Sequence, residues 1–73
     1  MASNEAILGI FSESWALGLR GGPDQSSKVA AGAALRVWRR KLEDVTDNEL
    51  ARAFDAHLDD PKIGHMFPHP SKL

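Results

Sequence analysis

Two clusters of helix breakers decide how this chain can be divided. Arg20-Gly21-Gly22-Pro23-Asp24 and Asp59-Asp60-Pro61 interrupt a sequence of 73 residues. Glycine gives up helical stability through its backbone freedom, and proline removes an amide and clashes with the preceding turn. Between the breakers, apolar residues recur at steps of three and four, the period of a helix with one buried face. Segments this short are marginal as isolated helices, so they must pack on one another.

The first segment, roughly Asn4 to Leu19, places Leu8, Phe11, Trp15 and Leu19 on one stripe with Ile7 alongside. Ser3 or Asn4 is suited to accept the free amides at its start, and Glu5 sits where the helix dipole favours an acid. The second segment, about Ser26 to Glu43, carries Ala31, Leu35, Trp38 and Leu42 on one line, with Ala30, Ala34 and Val37 beside it. This spacing predicts Trp38 in the core. Arg39 with Glu43 and Arg40 with Asp44 are spaced as helical ion pairs, for a helix that reaches so far.

The third start is specified most fully. In Val45-Thr46-Asp47-Asn48-Glu49-Leu50, Thr46 and Glu49 form a capping box, and Val45 and Leu50 occupy the two positions of a hydrophobic staple. Leu50, Phe54 and Leu58 then give an apolar face as far as Pro61. Beyond it, Lys62-Ile63-Gly64-His65-Met66-Phe67 has no lasting period and reads as a loop whose Ile63, Met66 or Phe67 packs back over the open end of the helices. The expected fold is all-α: a small three-helix bundle, one domain over residues 1–73, with a proline-containing C-terminal segment and room for a short fourth helix at Pro70 or Ser71.

A domain of this size buries only about 60% of the surface its unfolded chain exposes, so the core is small. The absence of cysteine excludes disulfides and thiolate sites and suits a reducing cytoplasm. No apolar run approaches the roughly 20 residues a membrane span needs, so no membrane partner is expected. The net charge of -1 conceals an asymmetry: Lys28 to Lys41 holds five bases and no acid, whereas Glu43 to Asp60 holds seven acids and Arg52. Such a chain offers a basic side and an acidic side to a partner.

His57, Asp59, Asp60, His65 and His69 are the one group with ligand chemistry. His65 and His69 have the spacing of a helical metal pair, yet Pro68 and Pro70 oppose a helix there, and neither metal nor cofactor is expected. Ser12, Ser14, Ser26 and Ser27 lack a motif supplying a base, Glu43, Asp44 and Asp47 are accounted for by helix capping, and Gly21-Gly22-Pro23 lacks the lysine and hydroxyl of a phosphate loop. No enzymatic activity is expected. Two binding surfaces remain. Arg36, Arg39, Arg40 and Lys41 are read as lying on one side of the second helix, where they would reach nucleic-acid phosphates. Ile10, Trp15, Leu17 and above all the Met66-Phe67 pair are candidates for incompletely covered apolar surface that would meet a protein partner or a second copy of the chain.

The run Val37-Trp38-Arg39-Arg40-Lys41-Leu42-Glu43-Asp44-Val45-Thr46-Asp47-Asn48-Glu49-Leu50, then Ala53-Phe54-Asp55-Ala56-His57-Leu58, then Phe67-Pro68-His69-Pro70, resembles small phage helicase loaders and replisome organisers. Ile7, Leu8 and Phe11 match the apolar first helix of that family, so the likeness covers most of the chain. Trp38, Leu42, Leu50, Phe54, Leu58, Phe67 and Pro68 are structural matches; no functional residue of the family carries over.

The resemblance implies a non-catalytic, all-helical amino-terminal domain that recruits or regulates the replicative helicase during phage or prophage DNA replication, in the cytoplasm of a bacterial or phage-infected cell. The departure is length, since such loaders continue past the proline element; the expectation is the amino-terminal part of a longer protein, or a short member. The alternatives are a small DNA-binding module using the basic face and a homo-oligomeric structural or regulatory protein. Ser71-Lys72-Leu73 also matches a peroxisomal address.

Overall fold

In the computed structural model, which describes residues 2–72, each of three helices begins at a hydroxyl side chain. Helix α1 (Asn4–Ala16) starts at Ser3, whose Oγ accepts the Ala6 amide at 3.1 Å. Helix α2 (Lys28–Lys41) starts at Ser27, whose Oγ accepts the Ala30 amide at 3.1 Å. Helix α3 (Asp47–Asp59) starts at Thr46 with the expected capping box: Thr46 Oγ1 accepts the Glu49 amide, and Glu49 Oε1 accepts the Thr46 amide, both at 3.2 Å. Each hydroxyl satisfies an amide that the first helical turn leaves without a partner. A 3-10 turn, Pro70–Lys72, follows the proline element and corresponds to the short fourth element. The fold is a small all-α three-helix bundle with a short additional C-terminal segment.

The helix ends correct two sequence expectations. Helix α1 stops at Ala16 instead of continuing to Leu19, because Gly18 takes the left-handed conformation (φ 72°) that favours glycine. Gly18 donates to the Trp15 carbonyl and Leu19 to the Ser14 carbonyl, both at 3.0 Å, which closes the helix with a Schellman motif. Helix α2 stops at Lys41, so Glu43 and Asp44 lie beyond the turn that would have paired them with Arg39 and Arg40.

Helix α1 is the element on which the others are built. It approaches both α2 and α3 closely, and α2 is also approached by the closing turn. Phe11, fully buried, is the hub. Its ring meets Trp38 of α2 edge-on at 5.1 Å and 87°, and lies 5.5 Å from Phe67 and 5.8 Å from Trp15, within the range where edge and tilted aromatic contacts add to burial. Ala2, Ile7, Ile10, Leu42, Leu50 and Phe54 complete the buried core. The buried line of α1 is therefore Ile7, Ile10, Phe11 and Ser14, rotated by roughly 80° from the expected stripe on a helix of 3.6 residues per turn. Leu8, placed inside by its spacing, is 42% exposed, and Ile10, a candidate for the surface, is buried.

The C-terminal segment packs back as part of the core. A single parallel bridge joins Arg20 to Met66: the Arg20 amide donates to the His65 carbonyl (3.2 Å), and the Phe67 amide donates to the Arg20 carbonyl (2.6 Å). From α3, His57 Nε2 lies 2.7 Å from the Met66 carbonyl oxygen. A carbonyl only accepts, so this bond requires the tautomer with the proton on Nε2. Held from both sides, the segment delivers Phe67 and Pro68 to buried positions.

A shared carboxylate links two helix starts. Asp47, at the first position of α3, accepts the Ser3 amide (2.7 Å) and the Ser3 hydroxyl (3.0 Å) with its two oxygens. Its negative charge thus lies at the amino ends of both α1 and α3, where each helix dipole is favourable to an acid.

Candidate functional site

The basic face is built by α2 turning its apolar line inward. Trp38 and Leu42 are buried, while Arg36, Arg39, Arg40 and Lys41 are all exposed. At about 100° per residue, Arg39, Arg36 and Arg40 fall within an arc of roughly 100°, centred about 130° from the buried Trp38–Leu42 line. The three arginines border one shallow depression, with Glu43 at its edge. Arg39 also borders a second depression with Ala2, Ser3, Asn4 and Glu5 at the start of α1. Lys41 does not share the arc: it lies roughly 200° around the helix from Arg39. The structure thus brings together three of the four basic candidates. Trp38, 4% exposed and packed on Phe11, has no face free to stack on a base.

The second surface is apolar and lies at the C-terminal segment. Met66 (46% exposed) and Ile63 (37% exposed) stand outside the core and, with His57, Phe67 and His69, line a depression of about 380 Å³. Phe67 itself is 8% exposed and packs on Phe11 and Trp15. This corrects the expected pairing of Met66 and Phe67 as an exposed contact: neighbours in an extended segment point to opposite sides, so Phe67 enters the core while Met66 faces out. Leu17 is exposed, whereas Trp15 is half-buried and donates from Nε1 to the Pro23 carbonyl at 3.1 Å.

Several of the polar residues weighed for chemistry are held in local hydrogen bonds. Among the described residues, no three side chains of the histidine, aspartate or glutamate type come together as a metal site. His57 is bonded to the segment carbonyl. His69 Nδ1 lies 2.7 Å from the Ser71 hydroxyl. Asp60 accepts the Lys62 amide at 2.8 Å in a turn after α3. Ser27 caps α2, and the Ser26 amide and hydroxyl both donate to Asp24, holding its carboxyl below the usual range. Asp47 and Glu49 are likewise lowered, chiefly by the backbone amides of Ser3 and Thr46. Ser14 is fully buried, and neither its hydroxyl nor His57 Nδ1 has a hydrogen-bond partner among the described residues.

The features that sequence periodicity missed are long-range: the Arg20–Met66 bridge, the His57 bond and the close approach of Phe67 to Gly22. Gly22 beside Pro23 is the nearest local signal, but nothing in its neighbourhood names Phe67 as its partner. The tripeptide Ser71-Lys72-Leu73 ends at Leu73, outside the described residues. No helix of the described residues is long and apolar enough to cross a membrane. Comparison with known proteins finds no matching family model, no matching curated protein and no matching solved structure.

Proposed function

We propose that this chain is a non-catalytic accessory module of phage or prophage DNA replication that binds the replicative helicase and recruits or regulates it, in the cytoplasm of a bacterial or phage-infected cell. The observation that carries this reading is the exposed apolar edge formed by Met66 and Ile63. The Arg20 bridge on one side and His57 on the other hold it in place. A preformed edge loses little conformational freedom on binding, which favours a modest surface as a docking point. Further support comes from the proline element: Phe67 and Pro68, on which the resemblance to helicase loaders rests, are both buried parts of the bundle.

The test is co-migration of the chain with the hexameric replicative helicase of the same genome on size-exclusion chromatography. The expected result is a complex that is lost on Ile63→Ser with Met66→Ser, substitutions at exposed positions that leave the unfolding midpoint within a few degrees. A complex that persists in the double variant removes the apolar edge as the contact. Failure of the unaltered chain to co-migrate removes the helicase reading.

A further inference from the structure

We infer that the arc of Arg36, Arg39 and Arg40 is a contact surface for the phosphate backbone of duplex DNA, independent of the helicase reading. Helix α2 carries five basic residues and no acid. Its apolar line is occupied by the core, so the three arginines are left together on exposed surface. Arg36 and Arg40 are one turn apart, a rise of about 6 Å, with Arg39 between them at the side. Each strand of duplex DNA presents a phosphate about every 3.4 Å along the axis, so this arc, extended by the reach of its guanidinium groups, matches two or three phosphates at once. Guanidinium forks bond phosphate oxygens in pairs, a geometry that lysine cannot reproduce.

Of the acids around α2, Asp24 is held by Ser26 and Asp44 is exposed beyond the helix end. Asp47 is bound to Ser3, and Glu49 is bound to Thr46. Glu43 and Glu5 line the two depressions, and a negative charge there reduces the attraction for phosphate. With Trp38 enclosed, no aromatic ring of α2 is available to stack on unpaired bases, which favours duplex over single strands. Contact of this kind holds the backbone without reading sequence.

The deciding experiment is fluorescence anisotropy of a labelled 20-base-pair duplex of arbitrary sequence, titrated with the 73-residue chain at 50 to 200 mM salt. With two or three phosphates neutralised, affinity is expected to fall roughly ten- to fortyfold across that range. Arg36→Gln, Arg39→Gln and Arg40→Gln together should weaken binding at 50 mM salt at least tenfold without changing the unfolding midpoint. Lys41→Gln, on the far side of the helix, should change it less than twofold. Equal binding by the triple variant would overturn the inference, as would no binding by the unaltered chain at 50 mM salt. Loss of helicase co-migration in the triple variant, with duplex binding unchanged, would instead give the arc to an acidic protein surface.

Discussion

The Phe67 ring lies directly over Gly22, so close that a β-carbon on residue 22 would overlap ring atoms. This contact fastens the C-terminal segment to the turn between α1 and α2, beside the Arg20 bridge. It makes residues 61–70 a structural part of the bundle, and the apolar edge at Met66 inherits its position from that attachment.

Gly22→Ala should lower stability by about 1–3 kcal/mol, the usual cost of forcing volume into a packed site. Gly9→Ala and Gly32→Ala provide the contrast: a β-carbon meets nothing within 4 Å at either position, and both lie inside helices, so each should gain about 0.5–1 kcal/mol. Chemical denaturation of the three variants checks the sign of each. Equal effects at Gly22 and Gly9 would show that Phe67 does not rest on Gly22.

Ser14→Ala should leave stability unchanged or raise it. The hydroxyl is fully buried without a partner, so its removal costs no hydrogen bond and relieves a desolvated polar group. Alanine is also the better helix former. A fall of more than about 1 kcal/mol in the unfolding free energy would mean that the hydroxyl makes a bond worth keeping.

The helix caps set an acid limit to stability. Thr46→Ala should cost about 1 kcal/mol at neutral pH. Asp47 and Glu49 have folded pKa values below their ordinary 3.8 and 4.5, because they accept hydrogen bonds from Ser3 and Thr46. Their stabilisation is therefore complete above those ordinary values and is lost as pH falls through the lowered folded values. Asp47→Asn with Glu49→Gln should flatten the decline in unfolding midpoint below about pH 4.5. An equally steep decline in the double variant would assign the acid sensitivity to other groups.

His57→Phe should lower stability by about 1 kcal/mol, since the Met66 carbonyl loses its side-chain donor while the buried Nδ1, which has no partner among the described residues, is removed as well. Nitrogen chemical shifts of the unaltered protein should report the tautomer protonated at Nε2. The opposite tautomer would remove the bond that holds the outer edge of the segment.

How far the sequence disclosed this arrangement depends on the range of the interaction concerned. Local chemistry was legible: Thr46 and Glu49 specify a helix start within four residues, Pro61 a stop, and Trp38 lies on an apolar line away from the three arginines. The face of α1 was not. Ile7, Leu8, Ile10, Phe11 and Trp15 spread apolar surface around much of that helix, so periodicity alone allowed several rotations and tertiary packing chose one. The attachment of Met66 and Phe67 to Arg20 joins residues more than forty positions apart, and no local pattern encodes it. At the candidate interfaces, residue type was readable but direction was not: Lys41 and Phe67 each sit next to the right residues in sequence and face the other way in space.

Calorimetric titration of the chain into the hexameric replicative helicase of the same genome at moderate salt, with duplex DNA for comparison, measures the proposed helicase contact itself. Saturable binding to the helicase at a fixed stoichiometry is expected, weakened by Met66→Ser and only slightly by added salt. No heat of binding to the helicase under conditions where the chain remains folded would contradict the proposed contact.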